Sequence, residues 1–386
     1  GSGLVGSEMC IRDSFNYYNY GSMLQGFALQ HYIRSLGQDV KCELINYRGV
    51  PPTNASKWKR LKTRISRTGY YLSHIKEIRT KSKYVSKFAL RNTYFDEFLK
   101  NNTQTTDKLY RNKNQLMENP PVYDIYVTGS DQTWSPNVSG GYELTPMFLD
   151  FAVRGAKKAA YAPSLGINSF SNEQERYLKT KLRDYSILSC REVGGATLLS
   201  KIIDNEVPAV VDPTLLIKKE EWRSLAHKPM ISGKYIFCYF LGDRQYYRDF
   251  VQQLSKQTGL PIYYIPVNWR EFSDADNLIW NAGPLDFVGL INGAEYICTD
   301  SFHGVVFSSN LNKNFYAFVK HSGSESAGDN SRLFDYLHRI GLEARLLSYY
   351  NGGLIDIRSI DYSVVNAKFE SEREMSYSVI NRIIEL

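Results

Sequence analysis

Thr299, Asp300, Ser301 and His303 crowd into six residues, Thr299-Asp300-Ser301-Phe302-His303-Gly304. A short apolar run, Tyr296 to Cys298, leads in, and an apolar helical pattern, Val305, Val306 and Phe307, leads out. Asp300 and Ser301 are good residue types for capping the helix that follows. Capping alone does not call for a histidine. A helix N-terminus offers free N–H groups and the positive end of a dipole to an anion. A histidine there can donate to that anion, or move a proton near neutral pH. Arg191, in Cys190-Arg191-Glu192, also stands where a strand pattern meets a helix pattern. Its planar fork suits a carboxylate or a phosphate. Asp131, Ser164 and Asp212 likewise end apolar runs. In parallel α/β sheets ligands sit beyond the carboxyl ends of strands, so these residues are expected to meet in one cleft. Chemistry alone points to a small anionic substrate, with acid–base help from His303. Asp131 has a second reading, because Gly129-Ser130-Asp131 is also a favourable turn.

The elements that would position these groups alternate along the chain, short apolar runs with amphipathic stretches, which predicts an α/β class. A helix is expected over 19–37, closed by Gly37. Strands follow in Val40–Tyr47, Pro121–Thr128, Lys157–Ala162, Tyr185–Cys190 and Val207–Val211. A second unit repeats the alternation through Tyr235–Leu241, Leu260–Val267, Glu295–Asp300 and Asn314–Val319. Two Rossmann-like domains are therefore expected, over 15–215 and 216–365, with a linker near 213–221 and a closing helix over 366–386. The opening GSGLVGSEMCIRDSF lacks strand alternation. It reads as a sequence artefact over 1–14 and is set aside from the fold.

The chain has 386 residues, of which 43% are hydrophobic and 23% charged, the balance of a globular protein. Aromatic residues reach 14%, with 29 tyrosines, a composition that suits flat ligands such as sugars. No run approaches the roughly 18 apolar residues of a membrane helix, and no charged start precedes an apolar stretch, so no signal peptide is expected. The five cysteines are dispersed, without a Cys-x-x-Cys pair, as expected of reduced cytoplasmic thiols. No metal-ligand spacing is present. The net charge is +7, yet residues 57–91 hold twelve Lys and Arg against Glu77 alone. Trp58, Leu61, Ile65, Leu72 and Ile75 recur there at helical spacing. A basic amphipathic helix suits an anionic membrane surface, and its alternative is a solvated helix packed by that apolar stripe. Nucleic acid is not expected, because no recognised motif accompanies the charge.

Taken in order, NYGSMLQGFALQHYIRSLG, YDIYVTGSDQTW, CREVGG, VVDPTLL and TDSFHGVVFS resemble the polysaccharide pyruvyl transferase family. The resemblance runs from about Asn19 to Leu347. It implies two Rossmann-like domains arranged as in a GT-B glycosyltransferase. It also implies an enzyme that uses phosphoenolpyruvate to place a pyruvate ketal across two saccharide hydroxyls in surface polysaccharide synthesis, with no further cofactor. His303 is then the acid or phosphate ligand and Arg191 holds a donor anion. Asn19 and Gly21 belong to the N-Y-G motif, and Ser301 stands where some members place an arginine. A donor with carboxylate and phosphate wants a second cation, for which Arg332 is the candidate, and Asp131 is the candidate base. Members usually begin with an apolar strand before N-Y-G, where this chain has the stretch set aside above. The rival expectations are a GT-B glycosyltransferase using a nucleotide sugar and a non-catalytic glycan-binding relative.

A lipid-linked acceptor would lie at an anionic inner leaflet, so the basic segment carries a test. Each Lys or Arg near such a surface contributes about 1 kcal/mol, screened by salt. Co-sedimentation is expected with anionic but not neutral vesicles, and to fall at high salt. Charge reversal at Lys57, Lys59, Arg60 and Lys62 is expected to reduce it.

Overall fold

The structure is a computed structural model, and it describes residues 8–13, 18–37, 40–48, 75–136, 146–267, 277–320 and 329–386. Four parallel strands form the first sheet in the order β2-β1-β3-β4: β1 (Glu8–Arg12), β2 (Lys41–Leu44), β3 (Ile125–Thr128) and β4 (Lys157–Ala160). The stretch set aside as an artefact therefore supplies an inner strand. Met9, Cys10 and Ile11 are fully buried in it. Strands of a parallel sheet are covered on both faces, so they read as a continuous apolar run and alternation is the wrong test. The strands expected around Ile187 and Val210 are extended but pair only at single bridges, Ala159 with Ile187 and Cys190 with Ala209.

Helix α1 (Tyr20–Ser35) follows β1 and is buried on nearly every face. A helix that is apolar all round belongs between layers. Tyr20 shows what it meets, donating to the Ala282 carbonyl at 2.7 Å and stacking on Phe287 with centroids 4.7 Å apart, both in the second domain. Helix α2 (Ile75–Asn102) continues the basic region and buries Phe95 and Phe98 near its end. The stripe from Trp58 to Leu72 lies outside the described residues. Helices α3 (Lys113–Glu118), α4 (Asn172–Leu182) and α5 (Val193–Ile203) complete the first domain. A capping box between Ser171 and Gln174 starts α4.

The second sheet has the order β6-β5-β7-β8-β9, again parallel: β5 (Ile236–Tyr239), β6 (Ile262–Tyr264), β7 (Tyr296–Thr299), β8 (Asn314–Phe318) and β9 (Leu346–Leu347). Its helices are α6 (Lys219–Leu225), α7 (Gln245–Thr258), α8 (Pro284–Gly293), α9 (Phe302–Asn310) and α10 (Asp329–Ile340). Pro284 opens α8, as its fixed φ and missing N–H favour. The two Rossmann-like sheets share one apolar core, in which Met9, Ile11 and Val127 join Phe237, Ile297 and Phe315. All five cysteines are free and buried.

The linker is packed rather than exposed. A 3-10 turn, Pro213–Leu215, leads into α6. There Trp222 is fully buried and donates to the Thr214 carbonyl at 2.8 Å. Its ring lies 5.9 Å from Phe27 of α1 and 5.0 Å from Phe307 of α9. The last helix, α11 (Tyr362–Ile384), starts before the expected boundary and returns to the first domain. Ser376 Oγ accepts from Val211 N–H at 3.0 Å, Tyr377 stacks on Tyr32 at 4.8 Å, and buried Arg373 donates to Leu215 O and Asn310 Oδ1.

Trp222 touches both domains, so Trp222→Ala is expected to cost about 3–5 kcal/mol. Chemical unfolding should show one cooperative transition at lower denaturant. Two resolved transitions would mean that the shared core does not couple the domains.

Candidate functional site

The ends of β3 and β7, the extended runs before α5 and before the 3-10 turn, and helix α10 deliver polar side chains to one place between the sheets. The junction of β7 and α9 supplies His303. Ser301 caps α9, accepting from Gly304 N–H at 3.3 Å. Asp300 turns the other way. Its two oxygens accept from the Leu241 and Gly242 N–H groups, each at 2.6 Å, and so hold the loop after β5. Burial raises its pKa, against the charge of Lys320 and those N–H bonds. Asp300 is thus a brace for the second domain, and of the two capping types read from sequence it is Ser301 that caps α9.

His303 is buried, with Nε2 3.4 Å from Asp212 Oδ2 and no hydrogen-bond partner of normal geometry. The opposite side of its ring rests on α1. A Cβ added at Gly21 would lie 2.1 Å from His303 Nδ1, which explains the glycine of the N-Y-G motif. Asn19 accepts from Ser22 N–H at 3.1 Å and caps α1, its role here being to start the helix that carries Gly21.

Arg191 is held from every side. Its N–H donates to Pro163 O at 3.2 Å. Nη1 donates to Asp212 Oδ2 at 2.8 Å, and Nε lies 3.3 Å from Glu192 Oε1. The guanidinium sits 4.2 Å above the Phe302 ring. Nη2 is buried and makes no hydrogen bond. Burial alone would lower its pKa, but the Glu192, Asp212 and Asp131 carboxylates outweigh it and keep the group charged.

Asp131 adopts a left-handed backbone, φ 64°, at the end of β3. Its carbonyl takes the Thr133 and Ser164 N–H groups, both at 2.7 Å, which is the turn reading of Gly129-Ser130-Asp131. Its side chain is a separate matter: Ser22 Oγ donates to it at 2.9 Å and Arg332 Nη1 approaches to 3.8 Å. Burial pushes this carboxyl up, yet the charges of His303, Arg191 and Arg332 with the Ser22 bond bring it below the ordinary value. Asp131, the candidate base from sequence, is thus favoured in its charged form. Ser164 Oγ is buried beside it without a partner. Arg332 comes from α10, and its guanidinium lies 5.8 Å from the Phe302 centroid, so one ring carries both arginines.

Asp212 was visible in sequence only as a strand end. One oxygen accepts from Thr214 N–H and Oγ1 at 3.0 and 2.7 Å, and the other serves Arg191 and faces His303. Burial opposes ionisation, but His303, Arg191 and Thr214 hold its pKa well below the usual carboxylate range. The cleft runs over Arg191, Asp212, Phe302 and Arg332 and encloses about 10 Å³, room for one water. Among the described residues no group of three or more His, Cys, Asp or Glu could hold a metal ion, and no helix is long and apolar enough to cross a membrane. Two cations on one aromatic ring, next to an imidazole, suit a small substrate with two anionic groups and a proton to receive.

The contact of Gly21 with His303 is testable without substrate. Gly21→Ala is expected to cost about 1–3 kcal/mol by overpacking. In a Gly21→Ala/His303→Ala double variant most of that cost should vanish, since the clash needs the ring. Additive costs in the cycle would place the strain elsewhere.

Compared with curated protein sequences, the chain has no match. Among solved structures, UDP-GlcNAc 2-epimerase from Methanocaldococcus jannaschii is 12% identical, over 96% of this chain and 99% of that one, at a TM-score of 0.44. UDP-GlcNAc 2-epimerase from Neisseria meningitidis is 10% identical over 98% of both chains, at 0.47, and E. coli heptosyltransferase WaaC with ADP 11% identical over 84% and 91%, at 0.38. The family model described as polysaccharide pyruvyl transferase matches residues 19–322, which takes in Gly21, Asp131, Arg191, Asp212 and His303 and stops short of Arg332. The chain belongs to the polysaccharide pyruvyl transferase family.

Proposed function

We propose that this protein transfers pyruvate from phosphoenolpyruvate to two hydroxyls of a saccharide, forming a ketal, in the synthesis of a surface polysaccharide. The observation that carries this reading is the pair of buried guanidinium groups, Arg191 and Arg332, both against the Phe302 ring beside His303. Phosphoenolpyruvate brings a carboxylate and a phosphate, and each wants a cation in a dry site. Arg191 Nη2 is a buried donor with no hydrogen-bond partner, which a donor anion would satisfy. His303 stands ready to protonate the methylene carbon, with Asp212 behind it to steady the imidazolium. The electron-poor carbon that results accepts the first saccharide hydroxyl. The second hydroxyl then displaces phosphate and closes the ketal. A cytoplasmic enzyme resting at the inner leaflet through 57–91 would meet a lipid-linked acceptor there.

Phosphate release from phosphoenolpyruvate, dependent on added saccharide, is the direct assay. His303→Ala is expected to lower it about a hundredfold or more with the fold intact. Arg191→Ala and Arg332→Ala are each expected to weaken donor binding by about 1.5–3 kcal/mol, Arg191 more. Arg191→Lys should not restore it, because the planar fork is lost. Thermal protection by a nucleotide sugar, with none by phosphoenolpyruvate, would overturn the assignment in favour of a glycosyltransferase.

A further inference from the structure

The cleft has a wall that donor binding uses only through Arg332. Helix α10 lines it with Arg332, Asp335, Tyr336 and Arg339, spaced so that all four share one helical face. The charged groups of this wall are mostly spoken for. Arg339 donates to Arg191 O at 2.8 Å and pairs with Glu372 of α11 at 3.1 Å, while Glu192 pairs with Arg191. Asp335 is half-buried at the same cleft and forms no ion pair within 4 Å among the described residues. Its carboxylate faces the first N–H groups of α5, Val193 and Gly194, and feels the charges of Arg339 and Glu192.

Ketal formation needs a proton acceptor, since each hydroxyl must give up its proton as its oxygen bonds to carbon. The carboxylates beside the arginines serve this poorly, because Asp131 and Asp212 are both held below their ordinary pKa. We propose that Asp335 takes the proton of the attacking saccharide hydroxyl, a role that rests on the pyruvyl-transfer function above. The C=C pair of phosphoenolpyruvate takes a proton from the His303 imidazolium and becomes a methyl group. The hydroxyl oxygen bonds to the adjacent carbon, and its proton passes to the Asp335 carboxylate. The carbon–oxygen bond to phosphate then breaks with its electron pair going to phosphate. The second hydroxyl bonds in its place and its proton leaves with the phosphate. Asp335 returns its proton to water, and His303 recovers one. The surroundings favour this role: burial raises the Asp335 pKa, Arg339 opposes it, Glu192 adds to it, and the Val193 and Gly194 N–H groups oppose it, the balance being upward. A base works best when its pKa lies near the working pH.

A carboxyl with a raised folded-state pKa gives stability below its unfolded value and loses it as pH rises through the folded value. Asp335→Asn should therefore melt no lower than the parent at neutral pH. A carboxylate that served only to cap α5 predicts the opposite, a lower melting temperature. The experiment measures phosphate release from phosphoenolpyruvate with a panel of methyl glycosides differing in their paired hydroxyls, together with melting temperature, from mildly acidic to mildly alkaline pH. For Asp335→Asn we expect kcat to fall about a hundredfold, the acidic limb of the pH–rate profile to disappear, and phosphoenolpyruvate titration to match the parent. Asp335→Glu should recover part of the rate. An Asn variant with the parent's kcat and acidic limb overturns the proposal, as does one that melts lower and loses phosphoenolpyruvate binding along with rate. A parent protein that releases no phosphate with any glycoside overturns the pyruvyl-transfer reading itself, and this role with it.

Discussion

The Asp212 carboxylate is the interaction on which the site depends. It is a buried anion that takes Arg191 from the first domain and faces His303 from the second. A buried charge without a partner is strongly destabilising, and a buried pair is tolerable only when the remaining lone pairs are also satisfied. Thr214 meets that condition with its N–H and its hydroxyl. The Arg191 guanidinium can in turn lie dry on Phe302, which places Phe302 and so the first turn of α9. Remove the carboxylate and the Arg191 guanidinium loses its anion in a low-dielectric cleft, while His303 loses the group it faces. The same anion thus sets the position of the imidazole and the distance between the sheets.

Packing around this anion leaves little slack. α1 is wedged between the layers, and its residues read both ways: Ser22 binds Asp131 in the first domain, Gly21 seats the His303 ring of the second. Tyr20 spans to Ala282 and Phe287. Close-packed interiors transmit displacement instead of absorbing it. A change in α1 therefore reaches Asp131 and His303 together.

Much of this was legible in sequence, and the failures have physical reasons. His303 and Arg191 stood out because a charge where an apolar run meets a helix needs a purpose. Asp300 stood out for the same reason and was read with Ser301 as a capping type, since sequence does not say toward which neighbouring loop a carboxylate at a strand end turns. Asp212 was seen but given no role, because Asp-Pro-Thr reads as a self-contained turn and its second oxygen is invisible in a local window. Met9 to Ile11 were dismissed for lacking alternation, a test suited to half-exposed strands. β9, only two residues long, carries no periodicity at all. The α10 pattern, Leu333, Leu337 and Ile340, was there to be read, and with it the face that bears Asp335. The basic segment 57–74 lies outside the described residues and stays an expectation.

The return of α11 has a mechanical consequence. The backbone crosses between domains twice, at 213–218 and along α11, and the two crossings touch: Arg373 holds Leu215, Tyr377 donates to Leu216 O at 3.1 Å, and Lys218 pairs with Glu370 at 2.7 Å. Two adjacent pins define an axle. Sliding of one sheet past the other would shear both pins at once. Any such displacement would part His303 and Arg332 of the second domain from Asp131 and Arg191 of the first. In this arrangement the cleft between them has room for about one water. The site is therefore complete only while both crossings hold, so contacts made far along the chain from Arg191 and Arg332 decide whether they stand as a pair.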